Sequence, residues 1–351
     1  MVVRTVFLTG ASGFVGAHVA EALLRRGCEV RCLIRPRSAA PHLDRPGIVR
    51  VAGSLEDPAG YRASLRGCDT VLHLAGAVIA RTKGEMLRTN GRGTARLADA
   101  CAAVGTPPRI VAVSSLAAAG PPRQNRAFRD EDDLPLPVSI YGRSKRAGEV
   151  ALERRSARLP VTIVRPGIVY GARDRQGAAI FRVIQRTGMH VVVGFATPRL
   201  SLIHVADLVD LLLQAAVDGE TLPAKPAADR PGRGFYFACD DREHPTYWQF
   251  GERVAAALGR RVLVWPLWRS VGRMVGGMAD VVSQATGTAH MLSLDKVREA
   301  TAWSWACSAA KARTQLGFAP PRAIASSESG TSIAVSRRKA SGRRWPHATW
   351  P

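Results

Sequence analysis

Thr9-Gly10-Ala11-Ser12-Gly13-Phe14-Val15-Gly16 stands directly after the β-branched run Val2 to Leu8 and just before a helical stretch, His18 to Arg26. Three glycines in this spacing let the backbone turn tightly, approach a pyrophosphate closely and offer helix N-terminal N–H groups to its charge. Between a first strand and a first helix, the motif predicts a dinucleotide site contacted by Gly10, Ser12, Gly13, Phe14, Val15 and Gly16.

Outward from this motif, short apolar runs alternate with longer Ala/Leu/Arg segments of helical period. Val30 to Ile34, Ile48 to Val51, Thr70 to Leu74, Ile110 to Ser114 and Val161 to Arg165 read as strands. Glu85 to Val104 and Ile140 to Ala157 read as helices between them, and Phe235 to Cys239 as a later strand. The βαβ alternation predicts an α/β fold, a doubly wound parallel sheet of the Rossmann kind covered by helices on both faces. Glu220 to Arg233, rich in Pro, Ala and charge, reads as a surface loop.

After the second strand, a dinucleotide fold that takes NAD usually presents an acid to the adenosine ribose. Here the place holds Arg35, then Pro36 and Arg37. Guanidinium groups bind a 2′-phosphate that a carboxylate would repel. The cofactor expected is therefore NADP, contacted by Arg35 and Arg37, with NAD the alternative.

Tyr141-Gly142-Arg143-Ser144-Lys145 carries the second signal. Residues four apart share a helix face, so the Lys145 ammonium is expected to favour the Tyr141 phenolate and bring its pKa down toward the range of an acid/base catalyst. Ser114 and Ser115 close the fifth strand, at the carboxyl edge where open α/β sheets bind ligands. Ser115 is the candidate for orienting a substrate oxygen, and Ser114 the neighbour that supports the backbone.

The chain has 351 residues, 50 Lys plus Arg against 28 Asp plus Glu, and a formal charge of +22. Such a surplus attracts phosphate, but it is spread evenly along the chain and is nearly all arginine. Without zinc-ligand spacing, an aromatic RNA-binding signature or a basic-region heptad, it reads as compositional bias, so neither a nucleic-acid partner nor a metal is expected. Cys28, Cys32, Cys68, Cys101, Cys239 and Cys307 form no Cys-x-x-Cys pair and read as reduced thiols of a cytoplasmic protein. Val262 to Ser283 is apolar but broken by Pro266, Arg269, Arg273 and Asp280, so no membrane insertion is expected.

With these residues in hand, the sequence resembles the extended short-chain dehydrogenase/reductases, the NAD-dependent epimerase/dehydratase family. Beyond the glycine motif, the resemblance rests on His73-Leu74-Ala75-Gly76, Asn90-Gly91-Arg92-Gly93-Thr94 and Ser114-Ser115-Leu116-Ala117-Ala118-Ala119-Gly120. Tyr141 with Lys145, Arg165-Pro166-Gly167-Ile168-Val169-Tyr170-Gly171 and Ile203-His204-Val205-Ala206-Asp207-Leu208 complete it, over roughly residues 1 to 320. It implies a Rossmann domain over residues 1–170, to which 200–240 return, and a smaller C-terminal α/β substrate-binding part from 171–199 and 241–322. It also implies a catalytic set of Ser115, Tyr141 and Lys145, and cofactor contacts at Ala75, Gly76, Asn90, Tyr141, Lys145, Pro166, Gly167 and Ile168. Ser54 and Leu55 stand where many relatives contact adenine through an acid, and Ala119 where many sugar-nucleotide enzymes carry a tyrosine.

Arg35 places the chain nearest the NADPH-using branch similar to dihydroflavonol reductases and 3β-hydroxysteroid dehydrogenases. The implied activity is hydride transfer between nicotinamide and a carbonyl/alcohol substrate. A sugar-nucleotide epimerase/dehydratase is the first alternative, and a non-catalytic NADP-binding regulatory or RNA-binding protein the second. The resemblance leaves room for a homodimer. Val78 to Met86, Phe181 to Leu200 and Tyr247 to Gly287 are expected to line or cover the substrate pocket, with Arg81, Arg199, Trp248, Trp265 and Trp268 as candidate ligand contacts; His204 and Asp207 read as structural connectors. Residues 323–351, with Arg337, Arg338, Lys339, Arg343 and Arg344 against Glu328, read as a disordered basic tail translated out of the ancestral frame.

Overall fold

The computed structural model describes residues 3–174, 177–225, 230–286 and 293–320. The expected basic tail at 323–351, Val2 of the expected Val2 to Leu8 strand, and part of the Glu220 to Arg233 loop lie outside these. The first half of the chain runs β1 (Thr5–Thr9), α1 (Phe14–Arg25), β2 (Glu29–Ile34), β3 (Ile48–Ala52), β4 (Thr70–His73), α2 (Lys83–Leu87), a π-helical segment (Arg88–Gly93) and α3 (Thr94–Ala102). Then come β5 (Arg109–Val113), α4 (Leu116–Ala119), α5 (Ile140–Glu153), β6 (Val161–Pro166), β7 (Ile168–Tyr170), α6 (Gly177–Thr187), β8 (Met189–Val193), β9 (Arg199–Leu200) and β10 (Leu202–His204). The chain continues through α7 (Val205–Asp218), β11 (Phe235–Ala238), α8 (Tyr247–Ala257), β12 (Leu263–Leu267), α9 (Arg269–Thr286), α10 (Leu294–Ala300), β13 (Ser304–Trp305) and α11 (Ala310–Leu316).

Seven strands form one parallel sheet in the order β11-β6-β5-β4-β1-β2-β3. The sheet is the doubly wound one expected, and its order reverses between β1 and β4, where ligands of open α/β sheets bind. Successive side chains of a strand enter opposite layers. Val6 and Leu8 join one core, with Val19, Leu23 and Leu212, while Phe7 joins the other, with Leu97, Ile110 and Ile163. Burial on both faces explains why these strands read as continuous apolar runs.

The sequence predicted one helix over Glu85 to Val104, but the structure breaks it into α2, the π segment and α3. Gly91 and Gly93 lower helix propensity there, and the wide turn turns Asn90 inward, where it is buried. Such π insertions frequently sit at functional sites.

A buried chain of hydrogen bonds joins this segment to β1. The Ala75 N–H donates to Thr9 Oγ1 (3.1 Å), Thr9 Oγ1 meets His73 Nδ1 (2.8 Å), and His73 Nε2 meets Thr94 Oγ1 (2.9 Å), which donates to the Asn90 carbonyl (2.7 Å). Because the Thr94 proton is committed to Asn90, Thr94 accepts from His73 Nε2–H, and Nδ1 is left to accept from Thr9. His73 is thus the neutral Nε2–H tautomer. Its pKa is pushed down to about 3, first by burial and then by the Lys145 ammonium.

Two positions of the glycine motif have no room for a side chain. Gly10 has φ +77° and a Cβ there would stand 2.7 Å from Ala75 N, while a Cβ on Gly16 would stand 2.1 Å from the Gly10 carbonyl oxygen. Gly16→Ala is expected to lower the unfolding free energy by about 2 kcal/mol or more, measured as the urea midpoint at constant m-value.

His73 gives a pH signature. An unfolded histidine binds a proton near its ordinary value of 6.5 while the folded one resists until about 3, so stability falls as pH drops through that window. One such group contributes a slope of about 1.4 kcal/mol per pH unit. Urea unfolding of His73→Gln between neutrality and mildly acid pH is expected to show a slope shallower by about that amount; an unchanged slope would contradict the neutral assignment.

Candidate active site

The carboxyl ends of β1 and β4 flank the point where the sheet order reverses, and the glycine motif fills the gap between them. Gly13 caps α1 without any side-chain hydrogen bond, so no side chain competes for the N–H groups at that helix end. Gly10, Ser12, Gly13, Phe14, Val15 and Gly16 therefore form an open backbone cradle that fits a dinucleotide pyrophosphate.

Arg35 and Arg37 follow β2, and both are exposed. The turn they make, closed by Ser38 N–H donating to the Arg35 carbonyl (2.9 Å), leads to His42, whose Nε2 sits 3.1 Å from the Ala11 carbonyl oxygen. The segment that carries the two arginines is thus tied to the glycine loop through His42. At the end of β3, Ser54 Oγ accepts from Glu56 N–H (3.2 Å), and Leu55 is buried against Gly93 of the π segment, 3.2 Å from the place of its Cβ.

Asn90 is locked in place by three bonds. Its Oδ1 accepts from Ala77 N–H (2.7 Å), and its Nδ2 donates to the Ala77 carbonyl (2.9 Å) and to Ser144 Oγ (2.8 Å). Ser144 in turn donates to the Tyr141 carbonyl (2.7 Å). The place of a Cβ on Gly76 lies 3.1 Å from Asn90 Oδ1 and 3.4 Å from Lys145 Nζ. Gly76, Asn90, Ser144 and Lys145 therefore meet at one point above β4.

Tyr141 and Lys145 lie one turn apart on α5. Ser139 caps this helix by accepting from Gly142 N–H (2.8 Å). Ser115 caps α4, accepting from Ala117 N–H (3.1 Å), and its hydroxyl faces the Tyr141 phenol. The pKa of that phenol is pushed up to about 12, by burial first; the Ser115 hydroxyl pulls it down and the nearby Glu299 carboxylate raises it.

This corrects the expected lowering by Lys145. The ammonium instead donates to the Val113 carbonyl (2.8 Å) and is itself pushed down to about 8 by burial, against the favourable charge of Glu149. Ser114 is turned away from Ser115 and donates to Glu149 Oε1 (2.5 Å). Glu149 also pairs bidentately with buried Arg165, at 2.9 and 2.8 Å. Burial works to raise the Glu149 carboxyl, but Arg165, Ser114 and Arg146 together hold it below its ordinary value.

Pro166, Gly167 and Ile168 leave the sheet between two backbones, Gly167 N–H donating to the Ala238 carbonyl (3.0 Å) and Ile168 N–H to the Ser201 carbonyl (2.8 Å). His204 Nδ1 accepts from Ala206 N–H (3.3 Å) and caps α7. Arg81 lies near Glu85, and Trp248 donates its indole N–H to Glu252. Arg199, Trp265 and Trp268 are exposed.

Sequence reasoning missed α10. Asp295 accepts from both Ile140 N–H (2.6 Å) and Tyr141 N–H (3.1 Å), and Lys296 lies over the Tyr141 ring, 5.4 Å from its centre, while also bonding Glu299 (2.7 Å). No motif marks these residues, which are some 155 positions from the helix they cover. The capping Ser293 followed by Asp295 was the one local signal of a helix there.

The sequence profile of the NAD dependent epimerase/dehydratase family matches residues 6–226. Ceramide reductase of Caulobacter vibrioides is 30% identical over 306 residues, 87% of this chain and 86% of the relative. A 4-hydroxy-2-methyl-3-oxo-4-farnesyl-3,4-dihydroquinoline-1-oxide ketoreductase of Stigmatella aurantiaca is 30% identical over 237 residues, 67% of each chain. The solved UDP-glucose 4-epimerase of Thermus thermophilus, in complex with NAD, shares the fold at TM-score 0.69 and 20% identity, covering 91% of this chain and 95% of that one. With its matching profile, its parallel sheet and its reductase relatives, the chain belongs to the NAD dependent epimerase/dehydratase family and is an NAD(P)-dependent oxidoreductase of the extended short-chain dehydrogenase/reductase type.

Proposed function

We propose that the chain reduces a ketone to an alcohol, or runs the reverse, on a lipophilic small molecule, with Tyr141 as proton donor. The observation that carries this is the meeting of Gly76, Asn90 and Lys145 at one point above the carboxyl edge of the sheet, with Tyr141 one turn from Lys145 on α5 and Ser115 facing its phenol. The names of two relatives, ceramide reductase and the farnesyl-bearing quinoline oxide ketoreductase, support a ketone on an apolar skeleton. Residues 171–199 and 241–322 are the proposed substrate-binding part, set against the Rossmann part made of 1–170 and 200–240.

A nicotinamide dinucleotide, when bound, supplies or takes up the hydride. Gly10 to Gly16, Ala75, Gly76, Asn90 and Pro166 to Ile168 would hold it. Ser115 donates a hydrogen bond to the substrate oxygen and orients it toward the phenol. A phenol with its pKa near 12 is protonated at neutral pH, so Tyr141 is poised to give its proton to an oxygen that gains charge as the carbonyl is reduced. Lys145, whose ammonium stands by Gly76 and Asn90 rather than on the phenol, would bind the nicotinamide ribose.

Tyr141→Phe is expected to lower the turnover of NADPH-dependent ketone reduction about 100-fold or more, while cofactor binding, read by nicotinamide fluorescence, is retained. Unchanged turnover would remove Tyr141 from the mechanism. Because Lys145 loses its proton near pH 8, and Tyr141 keeps its own well beyond, reduction should fall as pH rises through about 8. Lys145→Arg keeps its charge at every pH in that range, so whatever activity it retains should lose this alkaline limb.

The cofactor proposed is NADP, on Arg35 and Arg37 and the absence of an acid after β2. Arg35→Ala is expected to weaken NADPH binding about tenfold, equivalent to one charge-assisted hydrogen bond, and to leave NADH binding unchanged. Titration with both nucleotides checks this, and equal affinities in the parent chain would overturn it.

A further inference from the structure

In the second half of the chain, β8 and β12 pair in parallel, with Met189 opposite Leu263, Val191 opposite Trp265 and Val193 opposite Leu267. Partners in register share a sheet face, so one face of this ribbon consists of six apolar side chains. α9 covers one end of it, where a Cβ on Gly272 would stand 2.8 Å from Val193 Cγ1. The rest is open to solvent: Val191, Leu263 and Trp265 are 45%, 58% and 51% exposed.

α9 extends the same surface. Its buried seam is Gly272 and Gly276, the latter packed on Ser293, Leu294 and Val297. Val271, Met274, Val275 and Met278 follow the i, i+3, i+4, i+7 spacing of a single stripe, on a flank turned away from that seam, and all four are exposed. Phe195 and Trp268 lie edge to face at 5.3 Å beside the start of the helix and are 64% and 67% exposed. Soluble proteins seldom leave this many large apolar side chains of neighbouring elements exposed without a partner.

The charges around it select the partner. Arg260 and Arg261 precede β12, Arg269 and Arg273 occupy the opening turns of α9, and all four are exposed. Among the described residues none of them forms an ion pair. The nearby acids are engaged, Asp280 accepting from Leu294 N–H (3.2 Å) and Glu252 from the Trp248 indole (3.0 Å). A second copy would set this arginine rim against itself, since an isologous contact pairs a patch with its own image. The chain's own Arg337, Arg338, Lys339, Arg343 and Arg344 would add positive charge to positive charge.

We propose that this face, formed by β8, β12 and α9, rests on the surface of an anionic lipid bilayer. Tryptophan, methionine and valine side chains enter the boundary between headgroups and acyl chains, while the arginines meet the acidic headgroups. The helix lies in the interface and does not cross it; among the described residues no helix is long and apolar enough to span a membrane. Nothing in this surface depends on the chemistry assigned to Tyr141.

Flotation of the full-length protein tests it, using vesicles of phosphatidylcholine alone and of phosphatidylcholine with about one-third phosphatidylglycerol. The protein is expected to float with the anionic vesicles and to be released as salt is raised. Met274→Gln with Met278→Gln, and separately Arg269→Gln with Arg273→Gln, should each cut partitioning about tenfold or more, since insertion of the side chains and attraction to the headgroups both contribute. All four residues are exposed, and unchanged circular-dichroism melts would confirm that the variants fold. The proposal is overturned by failure of the parent chain to float, by equal flotation of the variants, or by equal flotation without phosphatidylglycerol. It is also overturned if the methionine pair instead abolishes a dimer in vesicle-free sedimentation.

Discussion

The catalytic edge hangs on a row of hydrogen bonds that has one consistent direction. Starting from the Ala75 N–H and ending at the Asn90 carbonyl, every donor between them has one acceptor, and the two threonine hydroxyls each give once and receive once. A second proton on His73 would face the Thr9 hydroxyl with a donor where it needs an acceptor, at two side chains that are both buried. The neutral ring therefore fixes the glycine loop, the end of β4 and the π segment relative to one another. Asn90, held at both its backbone carbonyl and its amide, passes that order on to Ser144 and so to the backbone of Tyr141.

Glu149 and Arg165 support the same edge from below. A buried ion pair is costly unless its geometry is good and its remaining atoms are bonded; here the pair is bidentate, Ser114 donates to the carboxylate, and the guanidinium lies 4.2 Å from the centre of the Phe235 ring. Because Ser114 is turned down to Glu149, the alternation along the chain turns the next residue the other way, and the Ser115 hydroxyl emerges where the phenol is. The Glu149 carboxylate has a second effect at a distance: its charge opposes the burial that lowers Lys145, keeping that ammonium protonated at neutral pH.

What the sequence made legible follows the range over which each signal acts. The parallel sheet and the glycine loop are written locally, in apolar runs and in glycines that admit no Cβ, and the structure has both. Ser115 near Tyr141 was legible because both stand in short motifs that the fold brings to one edge. The π segment was not, since Arg88 to Gly93 carries a helical pattern and the burial of Asn90, Gly91 and Gly93 comes only with the packed chain. Nor was the raised phenol: spacing put Lys145 on the face of Tyr141, but spacing does not say that the Val113 carbonyl will take the ammonium, or that Glu299 will arrive from a distant helix. Electrostatic outcomes of this kind depend on desolvation, which is a property of the packed chain.

The arginine surplus divides along the same line. Much of it is used as a carbonyl cap. The Arg109 guanidinium, at the start of β5, donates to the Ala215, Ala216, Val217 and Gly219 carbonyls where α7 ends, satisfying acceptors that every helix C-terminus leaves over. Buried Arg129 serves the carbonyls of Pro121, Asp133 and Leu134 in the same way. A planar fork with five donors suits such sites, where a lysine would reach fewer acceptors. Arginine with a structural acceptor is not available to an external phosphate, so a net charge of +22 overstates the surface that can attract one. The arginines that stay free of such work gain significance by contrast, and Arg35 and Arg37 after β2, and Arg260, Arg261, Arg269 and Arg273 around the apolar face, are exposed groups of this kind. The first pair follows the strand after which a dinucleotide fold meets the adenosine ribose, and the second set stands among exposed tryptophans, so the two clusters differ in chemistry despite identical side chains.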